Sequence, residues 1–206
     1  RQKLLAEMSV YHDQAKGKSY DTREIMKIFV SWIETAFKYS PSFIRHPNAV
    51  CVSTMDDRHY PTSRYVLLKT IDVNNGQFIF FTNYDSQKGH SILHVSNKVS
   101  LTFYWDLLDL QVRIKGTAVQ IDNALNDEYW KTRPRQSKLS AITSHQSHPI
   151  SSKSELETKY EDIEKKYQEM EDEEIPRPTN WAGFGVRADE VEYWNGHQYR
   201  FHDRCV

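Results

Sequence analysis

Glycine is scarce in this chain, with seven among 206 residues, and no G-x-G-x-x-G or G-x-x-x-x-G-K-[ST] run is present. A nucleotide bound here would therefore use neither a Rossmann turn nor a P-loop. Cysteine is scarcer still. Cys51 and Cys205 stand alone, which fits neither a disulfide framework nor a zinc site. The polar run Ser144-His145-Gln146-Ser147-His148 has no carboxylate or thiolate at ligand spacing, so no metal is expected. A G-x-S-x-G elbow and a Cys-His signature are both lacking, and nucleophilic hydrolysis is poorly supported. Charge of one sign is lacking too. The formal net charge is -1, which argues against a general binder of nucleic acid or anionic membrane. No apolar run approaches the roughly 18 residues of a membrane span, and no signal peptide is visible. A cytoplasmic protein with reduced thiols is the expectation, although the sequence begins at Arg1 and a targeting segment can precede it.

What is there suits a packed core: 38% of residues are hydrophobic and 13% aromatic. From Thr22 to Tyr39 the residues Ile25, Ile28, Phe29, Trp32, Ile33, Ala36 and Phe37 recur at helical spacing behind a cap at Asp21-Thr22, predicting an amphipathic helix. Ala49 to Thr54, Ser63 to Ile71, Gln77 to Thr82, Val99 to Trp105 and Gln111 to Ile121 are rich in Val, Ile, Leu, Phe and Thr and are separated by turn residues. They predict strands of an antiparallel sheet or barrel. Ser86 to Asn97 reads as a short helical insert. Helices are expected over Asn123 to Thr132, ended by Pro134, over Ser137 to Ser144, and over the charged, solvated Ser152 to Glu171. Two closing strands, Gly183 to Trp194 and Gln198 to Val206, flank a turn at Asn195-Gly196. Strands do not alternate regularly with helices, so a doubly wound parallel sheet is not expected. One domain, mainly β with peripheral helices, is the expected architecture.

Four runs are candidates for chemistry. In Ser63-Arg64-Tyr65-Val66-Leu67-Leu68-Lys69, alternation places Arg64 and Lys69 on opposite strand faces, offering cations to anions on either side. In Phe80 to Gly89 a strand opens into a helix, and Thr82, Ser86 and Lys88 with the free N–H groups can grip a phosphate. Tyr129 and Arg133 sit four apart on one helix face, with Ser137 as cap of the next helix, forming a second phosphate clamp. Arg200, His202 and Arg204 alternate onto one face of the last strand, a cluster that suits an anion or a π-system. Each run also has an ordinary structural reading as an edge strand, a turn, a helix corner or a solvent face. Together they imply two anion sites and a planar ligand, a pattern that fits an enzyme whose cofactor carries the chemistry.

These same runs resemble the pyridoxine 5'-phosphate oxidase family. The matching strings are S-R-Y-V-L-L-K, F-F-T-N-Y-D-S-Q-K-G, F-Y-W, Q-V-R, Y-W-K-T-R-P, S-H-Q-S and E-Y-W-N-G-H-Q-Y-R-F-H-D-R, in family order from about Met26 to Arg204. The resemblance implies an FMN-binding split β-barrel, a homodimer with FMN at the subunit interface, and oxidation of a small phosphorylated pyridine by dioxygen. It implies that Arg64 and Lys88 bind the FMN phosphate with Ser86, Thr82 and Phe81 alongside, and that Tyr65, Val66, Leu67 and Lys69 line the flavin. Gln111, Gln146, Ser147, Trp194 and Arg204 complete that pocket, some reaching from the partner subunit. Lys69, Tyr129, Arg133 and Ser137 would hold the substrate phosphate, and Arg200 and His202 would act catalytically on the pyridine ring, placing its C4' carbon for loss of a hydride to the flavin. The chain departs from the family at Gln87 and Leu110, where an Arg is usual. It stops at Val206 where relatives continue through a further strand, so a truncated C-terminal strand is expected. Residues 1–20 would form a lid or arm, with Tyr11 a candidate in it. A non-catalytic FMN- or pyridoxal-phosphate-binding paralogue is the alternative implied by these departures; a split-barrel reductase using a nicotinamide donor is a third reading.

Overall fold

A computed structural model describes residues 21–39 and 44–206. The lid or arm expected over residues 1–20, with Tyr11, lies outside them. The first helix, α1, spans Thr22–Lys38, and the Asp21 carboxylate caps it by accepting from the Arg23 N–H at 3.1 Å. Its buried face is Met26, Phe29, Trp32, Ile33 and Ala36. Phe37, expected on that face, is 48% exposed.

Six strands follow the predicted order: β1 Ala49–Met55, β2 Pro61–Asp72, β3 Gln77–Asn83, β4 Lys98–Trp105, β5 Leu110–Gln120 and β6 Trp181–Asn195. They are ordered β3-β2-β1-β4-β5-β6, and β3 pairs with β6 to close an antiparallel barrel. Closure removes the unpaired edges an open sheet would leave. A short strand β7, Asp203–Cys205, adds to the outside of β6. Alternation decides the inside. Val50, Val52, Phe78, Phe80, Leu101, Phe103, Val112, Ile114, Phe184 and Val186 are fully buried, and each such side chain contributes about 1.5–3 kcal/mol relative to exposure. The helix α1 seals this core. The Phe29 ring meets Phe78 and Phe103 with centroids at 4.9 Å in both cases, and the Tyr193 hydroxyl donates to Ile25 O at 2.7 Å.

The remaining helices are α2 Gln87–His90, which runs into a wide turn over Ser91–Val95, α3 Asn123–Lys131, α4 Arg135–Thr143 and α5 Lys153–Tyr167. The stripe Tyr160, Ile163 and Tyr167 of α5 packs on Leu139, Ile142 and Ile175 as a second small core. Lys138, wholly buried, ties α4 down by donating to Lys131 O and Asp172 O at 3.1 and 2.5 Å.

Three local expectations are corrected. The last strand is much shorter than Gln198 to Val206, because Gln198–Arg200 forms a tight helical turn with Tyr199 and Arg200 at φ 59° and 64°. Left-handed backbone interrupts an extended strand, so Arg200, His202 and Arg204 do not alternate along one strand face. Second, α4 starts at Arg135 with Pro134 in the cap position, so Ser137 lies inside the first turn and is not the cap. Proline suits a helix start because it lacks the N–H that would go unpaired there. Third, α3 ends at Lys131, which leaves Arg133 in the corner between two helices. Among the described residues no helix is long and apolar enough to cross a membrane.

Candidate functional site

A cavity of about 570 Å³ opens between β2, β3 and the α3–α4 corner. Arg64, Tyr65, Val66, Leu67, Lys69, Phe81, Thr82, Lys88, Tyr129, Arg133, Ser137 and Gln146 line it, together with Thr132, Pro134 and Trp181. Arg64 and Lys69, expected to serve opposite faces of β2, thus reach one chamber. The register of β2 against β3 shifts between Leu68 and Thr70, and a bulge of this kind re-aims the residue it leaves unpaired, here Lys69.

One part of the cavity lining is a cation set among hydroxyls. Ser86 caps α2, accepting from the Gly89 N–H at 3.3 Å. Gly89 is needed there, since a Cβ would stand 2.3 Å from Tyr84 O. The tight turn brings the Lys88 ammonium, 7% exposed, to Thr82 Oγ1 at 3.1 Å, Ser86 Oγ at 3.2 Å and Gln146 Oε1 at 2.8 Å. Burial, and then the nearby Arg64 guanidinium, lower the Lys88 pKa to about 8. Thr82 Oγ1 also donates to Gln146 Oε1 at 2.9 Å, so one amide oxygen collects two of the donors. The Arg64 guanidinium is braced by Thr54 Oγ1 at 2.8 Å and Thr62 Oγ1 at 2.9 Å.

The cavity also carries an aromatic stack. Phe81 stacks on Tyr129 with centroids 4.0 Å apart and on Trp181 at 5.2 Å, with interplanar angles of 17° and 8°. The Arg133 guanidinium lies over Trp181 at 4.4 Å and over Trp130 at 5.1 Å. Its Nη1 is buried without an acceptor among the described residues. Such a group costs free energy, and the same guanidinium lines the cavity, where its other donors can meet an anion.

The remaining expected residues fall elsewhere. Tyr104, Gln111, Trp194 and Arg204 form one row of cross-strand partners over β4, β5, β6 and β7. This row is on the outer face, because the flanking Leu110 and Val112 point into the core. The His202 ring packs on Trp194 with centroids 4.7 Å apart, and its Nδ1 accepts from the His197 N–H at 3.0 Å. Arg200 is exposed. The buried Glu192 carboxylate holds Arg204 Nε at 2.7 Å and Arg113 Nη1 at 3.2 Å. Ser147 is exposed, at φ 70°, beside Gln146. None of Gln111, Trp194, Arg200, His202, Arg204 and Ser147 lines the cavity. Of the two departures, Gln87 is exposed on the first turn of α2, whereas Leu110 is a core residue, 3% exposed. Trp181 was not singled out from the sequence. Only the β3–β6 register, which sets it opposite Asn83, brings it to the cavity. Among the described residues no group of three or more His, Cys, Asp or Glu is placed to hold a metal.

Residues 38–167 match the family described as "Pyridoxamine 5'-phosphate oxidase". A pyridoxine/pyridoxamine 5'-phosphate oxidase of Leptospira biflexa is 44% identical over 160 residues, 78% of this chain and 73% of that protein. One from Janthinobacterium is 34% identical over 203 residues, covering 98% of this chain and 92% of its own. Among solved structures, PhzG from Burkholderia lata, in complex with tetrahydrophenazine-1-carboxylic acid, superposes with a TM-score of 0.78 at 23% identity, over 91% of this chain and 90% of that one. A pyridoxamine 5'-phosphate oxidase-related, FMN-binding protein from Nostoc punctiforme does so with a TM-score of 0.62 at 13% identity, over 85% and 94%. At those identities the two structures speak to the fold.

Proposed function

The chain belongs to the pyridoxamine 5'-phosphate oxidase family, and on that premise we propose that it oxidises pyridoxamine 5'-phosphate or pyridoxine 5'-phosphate to pyridoxal 5'-phosphate. FMN would be the cofactor and dioxygen the final acceptor, leaving as hydrogen peroxide. The observation that carries this reading is one cavity lined by two sets of anion-binding groups, Lys88 with Thr82 and Arg64, and Arg133 with Tyr129, Ser137 and Lys69.

The donor set at Lys88 fits a phosphomonoester: one nearly buried ammonium, with hydroxyl groups and a guanidinium around it. Lys88, Thr82 and Arg64 would hold the FMN phosphate, and the 64–67 segment would line the ring. Flavin supplies acceptance of two electrons and reaction with dioxygen. The work left to the chain is orientation and charge placement. Arg133, Tyr129, Ser137 and Lys69 fix the substrate phosphate, which sets the distance from that anchor to the reacting carbon. Arg200 and His202 then act on the pyridine ring. They lie outside the cavity of their own chain, so a second copy would deliver them, along with the outer-face row Gln111, Trp194 and Arg204. The exposed Tyr65, Tyr104, Tyr199 and Phe201, between 58% and 87% accessible, suit burial in such a homodimer.

Aerobic turnover of pyridoxamine 5'-phosphate by the FMN-reconstituted protein, followed by absorbance of the product aldehyde, tests the reading. Turnover that is lost in Arg200→Ala supports it. Tight FMN binding without turnover would overturn the oxidase and favour a non-catalytic FMN- or pyridoxal-phosphate-binding protein. That second reading has its own observation: Arg200 is held exposed on left-handed backbone.

A further inference from the structure

The Arg133 side chain poses a physical question. Its Nη1 is buried without an acceptor among the described residues, yet a long guanidinium side chain would ordinarily turn toward water. Two indole faces hold it. Trp130 is the farther, at 5.1 Å, and its N–H is committed to Ile175 O at 2.7 Å in the interior. Trp181 is the nearer, at 4.4 Å, and it is itself fixed on three sides. Its backbone is set by pairing with Asn83, its carbonyl accepts from Arg177 Nη1 at 2.8 Å, and its ring is parallel to Phe81 within 8°. Phe81 in turn stacks on Tyr129. One aromatic plate therefore sets two members of the phosphate clamp, Tyr129 by ring stacking and Arg133 by a cation–π contact. Trp181 also lies in the wall between the main cavity and a neighbouring one of about 370 Å³, which share Arg133, Ser137 and Gln146. Released from the indole, the guanidinium has open space on either side.

We propose that Trp181 is a positioning residue that aims Arg133 at the phosphate of the substrate and so sets the preference for phosphorylated over unphosphorylated pyridines. The proposal rests on the oxidase reading for its substrate but not for its geometry. An arginine held over an indole keeps its guanidinium at the wall of the main cavity, where the N–H groups that face the cavity can meet an acceptor oxygen. An arginine without the indole must be ordered anew at each binding event, and binding weakens by that cost.

The test uses FMN-loaded protein and the variants Trp181→Leu, Trp181→Phe, Arg133→Ala and the double variant Trp181→Leu/Arg133→Ala. In Trp181→Leu, KM for pyridoxamine 5'-phosphate and the inhibition constant of inorganic phosphate should both rise about tenfold, while kcat and the FMN Kd stay within about twofold. Trp181→Phe, which keeps a smaller π-face, should lie between Trp181→Leu and the parent, and it carries the test alone if the leucine variant fails to fold. The double variant should be no worse than Arg133→Ala, because both changes remove one interaction. An unchanged phosphate inhibition constant overturns the proposal. So does a multiplicative double variant, or an FMN Kd that rises in step with KM. If the parent protein shows no turnover, the oxidase reading fails by itself. The affinity for pyridoxine 5'-phosphate, read by fluorescence, then still reports whether Trp181 governs Arg133.

Discussion

Lys88 holds its charge where charge is costly. Burial is the main reason its pKa falls to about 8, and Arg64 adds to the effect. A phosphate needs the protonated ammonium, and in the free protein that form is lost as pH rises through about 8. FMN affinity should therefore be level near pH 7, where the phosphate is mostly a dianion, and weaken by up to about tenfold per unit above 8, as read by flavin fluorescence quenching. Lys88→Met should abolish the inflection and raise the Kd about 10- to 100-fold, the effect of losing a hydrogen bond to a charged group. Gln146 gives a second handle on the same atoms. Its Oε1 accepts from Lys88 and Thr82, so it takes up donors that a phosphate oxygen would use. Gln146→Glu places a full negative charge there. The expected result is an FMN Kd raised more than about tenfold at pH 7 and partly restored near pH 4, where the carboxyl protonates. An unchanged Kd in Gln146→Glu would mean that this side chain moves clear of the phosphate.

At the scale of elements, β7 is the weak point. It has three residues, its only strand partner among the described residues is β6, and it is pinned by Glu192, a 6% exposed carboxylate shared between Arg204 and Arg113. The arginine side chains are 61% and 47% exposed, so solvent screens part of the pairing. Glu192→Ala should cost about 1–2 kcal/mol, seen as a fall of several degrees in Tm, and should speed amide exchange at Asp203–Cys205 while leaving the barrel protected. This element also marks where the sequence stopped being legible. The barrel strands could be read because some alternate about a buried face, as Val112 and Ile114 do between Gln111, Arg113 and Lys115, and the others are short apolar runs between turn residues, as in β3. Helix α1 was readable from its cap and period. The segment 198–202 has no such pattern, and two successive non-glycine residues at positive φ leave no signal in composition. The α3–α4 corner was misread by two residues for a related reason: Pro134 marks a boundary without saying which side of it the next helix begins. Lys69 reached the cavity through a bulge, and Trp181 through strand register. Both are properties of pairing between strands, which the order of residues in one strand does not contain.

At the scale of the whole molecule, the expected site residues divide into two groups within one chain. Arg64, Lys69, Thr82, Lys88, Tyr129, Arg133 and Ser137 surround the cavity or touch its donors. Gln111, Trp194, Arg200, His202 and Arg204 belong to the outer face of β5–β7 and the turn before β7. The members of both groups are proposed from the family resemblance, and their division within one chain depends on which way the closed barrel turns each strand. A twofold dimer can bring one group of each copy against the other group of its partner, making two equivalent sites. That arrangement has a consequence a single-chain site lacks. Arg133→Ala disables the cavity group and Arg200→Ala the outer-face group, so each homodimer should be nearly inactive. Mixed subunits, unfolded and refolded together, form heterodimers in which one site carries both lesions and the other carries neither. With random pairing, half the dimers are mixed and half their sites are intact, so activity should return to about a quarter of the parent value. Two lesions in the same group, Arg133→Ala with Lys69→Ala, should give no recovery on mixing. If the first pair also stays inactive while the refolded subunits are shown to have exchanged, each site is built from one chain, and the turn bearing Arg200 must swing onto its own cavity.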